Sequence, residues 1–247
     1  MKRLILLVLL LLSTHAFAAS PYISLGAGLL RSNTTTLHDR DCASTEPPAL
    51  FGCGTGNDRR SLAARGDFGD TPLFRFAAGV QSSRTRVELE LASRPSLDFD
   101  ASANFTGVAS PQPVRASGSS RSALVIAAID LGTARVRPFV AAGAGIARNE
   151  TSSVRFTFPS IAPDATTTIR GGAESSFAWI ASAGATLALT QSLNVDLSFR
   201  YDDLGVVRTD AGAATIVRPT RTLTLDIAGT EARLRAGGIA IGLRWRI

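Results

Sequence analysis

The chain has 247 residues, of which 45% are hydrophobic, and its 26 basic and 20 acidic side chains give a formal net charge of +6. The arginines are spread along the whole length with no basic cluster interleaved with aromatics, which argues against a nucleic-acid interface. After residue 18 no segment reaches eighteen consecutive apolar residues, the length that would suggest a membrane-spanning helix.

The chain opens on Lys2 and Arg3, an apolar run over residues 4–12, and Ala16-Phe17-Ala18. This is the layout of a secretory signal peptide cleaved after Ala18. The apolar run is too short to span a bilayer, and Ala19 stands where a lipoprotein would carry cysteine. Lys2 and Arg3 account for two of the +6 charges, so residues 19–247 carry +4, with arginine as their only strong base. No composition shift divides 19–247, and it is read as one domain.

Eight runs of alternating apolar and polar residues follow: 22–30, 73–81, 85–93, 121–131, 137–148, 175–189, 193–203 and 232–247. Period two gives a strand one greasy and one wet face. Run 193–203 is the clearest: Val195, Leu197, Phe199 and Tyr201 alternate with Asn194, Asp196, Ser198, Arg200 and Asp202. The connections alternate as well. Residues 82–84, 132–136 and 190–192 are tight turns, whereas 31–72, 94–120, 149–174 and 204–231 are long and rich in Ser, Thr, Asn, Asp, Gly and Pro. Short turns at one end and long loops at the other is the build of a transmembrane barrel. Lipid offers no partner to an open sheet edge, so the strands must close on themselves. The expected fold is all-β: an eight-stranded antiparallel up-and-down transmembrane β-barrel, with termini and short turns in the periplasm and four long loops outside.

Parity assigns the faces. Arg75, Glu88, Glu90, Asp196, Arg200, Arg244 and Arg246 are expected inside, and Phe76, Val87, Leu89, Val195, Leu197, Ile241 and Leu243 outside. In a narrow lumen, charges of both signs must pair, so an ion-pair network is expected to plug the barrel. Gly26-Ala27-Gly28, Ala77-Ala78-Gly79 and the small-residue run at 141–145 make room for long arginines from neighbouring strands. No helical pattern follows them, as a phosphate-cradling loop would require. Trp245 near the turn end, and Phe74, Phe177, Trp179 and Tyr201 near the loop end, are candidate interfacial aromatics.

These pieces resemble a known family. Phe199-Arg200-Tyr201-Asp202-Asp203-Leu204-Gly205 is similar to the Tyr-Arg-Tyr-x-Asp-Leu-Gly-like segment of small outer-membrane β-barrels of the opacity-protein, surface-antigen and OmpA-like type, often labelled porin family. Arg137-Pro138-Phe139-Val140-Ala141-Ala142-Gly143-Ala144-Gly145, Arg86-Val87-Glu88-Leu89-Glu90 and Ile241-Gly242-Leu243-Arg244-Trp245-Arg246-Ile247 add to it. Members usually finish on an aromatic residue, and here Trp245 stands two positions before Ile247. The resemblance implies a barrel in a Gram-negative outer membrane with a structural or surface-interaction role. It transfers no catalytic residue and names no ligand.

Cys42 and Cys53 lie in the first long loop. An even count in an exported chain reads as a disulfide, pinning a loop tip that otherwise looks floppy. A metal site from Cys42, Cys53, His38 and Asp39 or Asp41 is the competing reading, although it lacks the spacing of a zinc motif. A lipid A-modifying barrel enzyme would need His38 beside Ser32, Ser44 or Ser61, with Asp39 as the acid. No rigid setting for His38 is visible, and the expectation is no enzyme, no cofactor and no metal. Asn33, Asn104 and Asn149 head chance N-glycosylation matches. Phe99, Phe105, Phe156 and Phe158 are expected to be solvated loop residues, or contacts for a partner or for lipopolysaccharide phosphates. The expected partners are outer-membrane lipid, lipopolysaccharide and an extracellular ligand at the four loops. A small diffusion channel is the alternative function.

Overall fold

The computed structural model describes residues 19–107 and 111–247. The leader expected at residues 1–18 lies outside the described residues. In chain order the strands are β1 (Ser20–Ser32), β2 (Thr35–Asp39), β3 (Ala64–Asp67), β4 (Asp70–Ser82), β5 (Thr85–Ala103), β6 (Gln112–Asp130), β7 (Val136–Thr151), β8 (Val154–Thr157), β9 (Thr166–Ile169), β10 (Gly172–Ala188), β11 (Leu193–Arg208), β12 (Gly212–Arg218), β13 (Arg221–Ile227) and β14 (Thr230–Arg246). No helix occurs among the described residues.

Eight of these strands form a closed antiparallel ring. β1 pairs with β4, β4 with β5, β5 with β6, β6 with β7, β7 with β10, β10 with β11, and β11 with β14. β14 returns to β1, with Tyr22 opposite Arg246 and Ser32 opposite Ala236. Closure leaves no edge, the condition for a sheet in lipid. The eight alternating runs are the eight barrel strands. Several strands reach further toward the loop end than the alternation suggested; β5 continues to Ala103 and β6 starts at Gln112.

The outer face is a greasy belt. Leu25, Phe76, Leu89, Val125, Ile146, Leu197, Ile241 and Leu243 are all exposed. Large apolar side chains on a closed barrel wall bury themselves only against acyl chains.

The long connections are not floppy. Their six short strands extend the wall: β2 pairs with β14 and β3, β3 with β5, β8 with β6 and β9, and β9 with β12, which turns into β13. The Phe residues of these segments correct the expectation of solvated loop side chains. Phe99, Phe156 and Phe158 are buried and Phe105 packs against them. Phe51 stacks on Phe105 at 5.2 Å between ring centroids, and Phe156 meets both at 5.9 Å. Three separate connections thus share one aromatic cluster, because only the mouth of the barrel offers these rings an escape from water.

Cys42 and Cys53 form a disulfide, which removes them as metal ligands. The loop they close is also organised by the buried carboxylate of Asp39, which accepts hydrogen bonds from the amides of Leu50, Phe51 and Gly52 at 2.8–2.9 Å. The Arg60 amide, followed by the Asn104 side chain, holds the exposed Asp58 carboxyl below its usual range. Closing so short a loop restricts the unfolded chain, so Cys42→Ser with Cys53→Ser is expected to lower the unfolding free energy by about 2–4 kcal/mol. Urea titration of the refolded double variant measures this. An unchanged midpoint would mean that Asp39 alone holds the loop.

Candidate functional site: the lumen

The interior changes character part-way up, and the backbone explains how. On β5 the inward charged residues are Arg86, Glu88, Glu90 and Arg94, all at even positions, up to a register shift between Arg94 and Leu97. Beyond it the odd positions Leu97, Phe99, Ala101 and Ala103 face in. One extra residue flips the parity of everything that follows. Pro95, which cannot donate to a ladder, sits within the shift. β11 does the same between Asp203 and Val206 around Gly205, whose φ of 77° suits glycine. A Cβ there would also stand 2.3 Å from that of Ser176. Two bulges therefore divide a charged turn-side half from an apolar loop-side half.

The charged half contains two linked clusters. In one, Arg200 grips both oxygens of Glu90 at 2.8 and 2.7 Å while Arg75 approaches Glu90 at 3.2 Å. Arg200 also donates to Asp202 at 2.5 Å, and Asp202 pairs with the fully buried Arg94. In the other, Asp196 accepts two bonds from Arg244 at 3.1 and 3.2 Å, one from Arg86 at 3.2 Å and one from Thr186 at 2.5 Å. Arg86 and Arg137 reach Asp130 at 3.2 and 3.6 Å. Glu88 accepts from the Tyr22 hydroxyl at 2.8 Å and lies 4.0 Å from Arg75. Arg75, Arg86, Arg94, Arg137, Arg200 and Arg244 thus face Glu88, Glu90, Asp130, Asp196 and Asp202, six cations against five anions. Near-neutral pairing is what makes so many buried charges tolerable.

Small residues make the space. A Cβ on Gly26 would lie 2.6 Å from Arg75 Nε, and one on Gly242 2.5 Å from Arg75 Nη2. Arg75 crosses the lumen over that glycine strip. A cavity of about 30 Å³ remains between Arg75, Arg86, Asp196 and Ile126, room for a water molecule or two.

Of the sequence-derived lumen set, the structure brings together Arg75, Glu88, Glu90, Asp196, Arg200 and Arg244. Arg246 is the exception: it is exposed, because β14 ends there and no wall stands beyond it to pack against. Arg86, Arg94, Asp130, Arg137 and Asp202 were not in that set, though Arg86, Arg94 and Asp202 share the inward parity of Glu90 and Arg200. Phe74, Phe177, Trp179 and Trp245 are exposed on the outer wall, and half-buried Tyr201 lies 5.6 Å from the Trp179 ring. His38 is exposed, 3.3 Å from the Thr36 carbonyl and 4.0 Å from Glu231. Ser32 accepts from the Phe68 amide, and Ser44 donates to the Pro47 carbonyl. Asn149 is buried and donates to the carbonyls of Leu204 and Val206.

No protein-family model and no curated protein matches the chain. Solved structures do. The outer-membrane protein OprG of Pseudomonas aeruginosa is 12% identical over 92% of this chain and 97% of its own, with a TM-score of 0.50. The fold is that of an outer-membrane β-barrel. The outer-membrane protease OmpT of Escherichia coli is 10% identical over 95% of this chain and 99% of its own, also with a TM-score of 0.50. Neisserial surface protein A is 12% identical over 93% of this chain and 99% of its own, with a TM-score of 0.42. At such identities the likeness to OprG and OmpT is one of fold alone.

Proposed function

We propose that this protein is exported by its N-terminal leader and resides in the outer membrane as a closed barrel, serving a structural or surface-interaction role through its loop-side segments. The observation that carries the reading is the filled lumen. Ion pairs occupy the turn-side half, and a contiguous apolar cluster runs from Leu124 and Ile180, level with Glu90 and Asp202, through the loop-side half to Phe51 and Phe156. The belt contacts lipid, and segments 31–72, 94–120, 149–174 and 204–231 form the outward surface. There β13 exposes Leu223 and Leu225 beside polar neighbours, a pattern suited to a protein or glycolipid contact.

Single-channel recording of the refolded protein in a planar bilayer tests this. No reproducible conductance steps are expected, because the paired arginines and carboxylates of the turn-side half leave between Arg75, Arg86, Asp196 and Ile126 a cavity of only about 30 Å³. Regular steps, with an ion preference that shifts in Glu88→Gln and Glu90→Gln, would overturn the closed-barrel reading and make the protein a small channel.

A further inference from the structure

On the outer wall, at the loop-side rim of the greasy belt, Ser93, Arg121, Arg148 and Ser175 form one row across β5, β6, β7 and β10, each in register with the next. Their parity points them out of the barrel, with Leu91, Ile146 and Phe177. Arg121 and Arg148 therefore stand directly opposite each other on adjacent strands. Like charges in that position repel at the 4.5–5.5 Å typical of facing Cβ atoms. Arg148 has a partial answer in Glu150, 3.1 Å away and exposed. Arg121 has no ion pair among the described residues.

Immediately toward the turn side the row is Leu91, Ala123, Ile146, and Phe76 lies beside Leu91. Ala123 is the low point between larger neighbours. The result is a depression of about 660 Å³ that runs from the two arginines down over the apolar wall between Phe74 and Ile146. One end is cationic and flanked by two hydroxyls, and the rest is greasy.

We infer that this depression binds a phosphorylated, acylated lipid of the outer leaflet, of the lipid A type, with its phosphate between Arg121 and Arg148 and one acyl chain over Ala123. Two guanidiniums in one row match a terminal phosphate, which carries more charge and more acceptor oxygens than the diester of a phospholipid. The anion also converts the repulsive arginine pair into a shared bridge. The inference rests on the outer-membrane placement proposed above, which sets the loop-side rim in the outer leaflet.

Refolded full chain in zwitterionic micelles, titrated with purified lipid A, with dephosphorylated lipid A and with phosphatidylglycerol, and read by native mass spectrometry, tests it. Lipid A is expected to bind at least ten-fold more tightly than either comparison lipid. Arg121→Gln combined with Arg148→Gln loses that ten-fold, and Ala123→Phe, which fills the depression, weakens binding similarly. Equal binding of the dephosphorylated lipid or of phosphatidylglycerol, or undiminished binding by the arginine variant, overturns the inference. A second readout separates ligand from scaffold. Arg121→Gln leaves the thermal midpoint in zwitterionic micelles unchanged or higher and lowers it once lipid A is present, whereas a residue with a purely structural role shifts both in one direction. Failure to insert into any bilayer would instead strike at the outer-membrane reading, and micelle binding is scored without reference to it.

Discussion

Glu90→Ala is expected to lower the unfolding free energy by about 3–5 kcal/mol, the range for removing one partner of a buried ion pair. Glu90 is completely buried, and it answers two guanidiniums, Arg75 and Arg200, at 2.7–3.2 Å. Without it Arg75 retains only Glu88 at 4.0 Å, and Arg200 retains Asp202. The loss is large because the cations stay behind in the lumen, out of reach of water. Arg31 and Asp70 provide the contrast. They pair at 3.0 Å but are more than half exposed, so Asp70→Ala is expected to cost no more than about 1 kcal/mol. Reversible urea unfolding in lipid vesicles reads both. Arg200→Ala added to Glu90→Ala should cost less than the two single changes summed, since the second removes a charge the first left unpaired. A Glu90→Ala variant as stable as the parent would show that water reaches this site, and the closed lumen would fall with it.

The difference between those two pairs also marks what could be read from the residues alone. Alternation over 193–203 and the long-short rhythm of the connections suffice for eight strands and a closed ring, because both follow from local period and from the ban on edges in lipid. Parity then places Glu90 and Arg200 on inner faces. That they meet is a different kind of fact: 110 residues separate them, and their approach depends on how the ring closes and on the glycines at 26 and 242. Arg94 and Asp202 share the inward parity, but they lie at the ends of regular alternation, where bulges were about to reverse it. Pro95 and Gly205 were the available signals, one unable to donate to the ladder and the other free to adopt positive φ. Parity alone could not foresee Arg246, whose strand simply ends. Composition misled in the connections: Ser, Thr and Gly suggested solvated loops, while alternation within them, as in Val154-Arg155-Phe156-Thr157, was already that of half-buried strands.

Those connections support the other large effect. Phe156 is fully buried where the disulfide loop, the β5–β6 connection and β8 converge, touching the rings of Phe51 and Phe105. Phe156→Ala deletes that ring and leaves a cavity in packing that cannot collapse, since the surrounding strands are fixed in the wall; about 3–5 kcal/mol is expected. The cost falls on the outer assembly rather than on the ring, because the barrel strands keep their own ladders and their own ion pairs. Local opening of the outer segments should therefore become at least ~100-fold more frequent, with each 1.4 kcal/mol counting tenfold. Trypsin measures this, as Arg59, Arg60, Arg155 and Arg221 all lie in those segments. Cleavage there should accelerate by that factor while the heat-modifiable barrel band persists. If cleavage instead stays at the parental rate, the aromatic cluster does not hold the segments down, and the disulfide loop and the β2–β14 and β3–β5 pairings must do so without it. If the barrel band is lost along with the loops, the two halves of the lumen unfold as one unit, and the outer assembly is part of what keeps the ring closed.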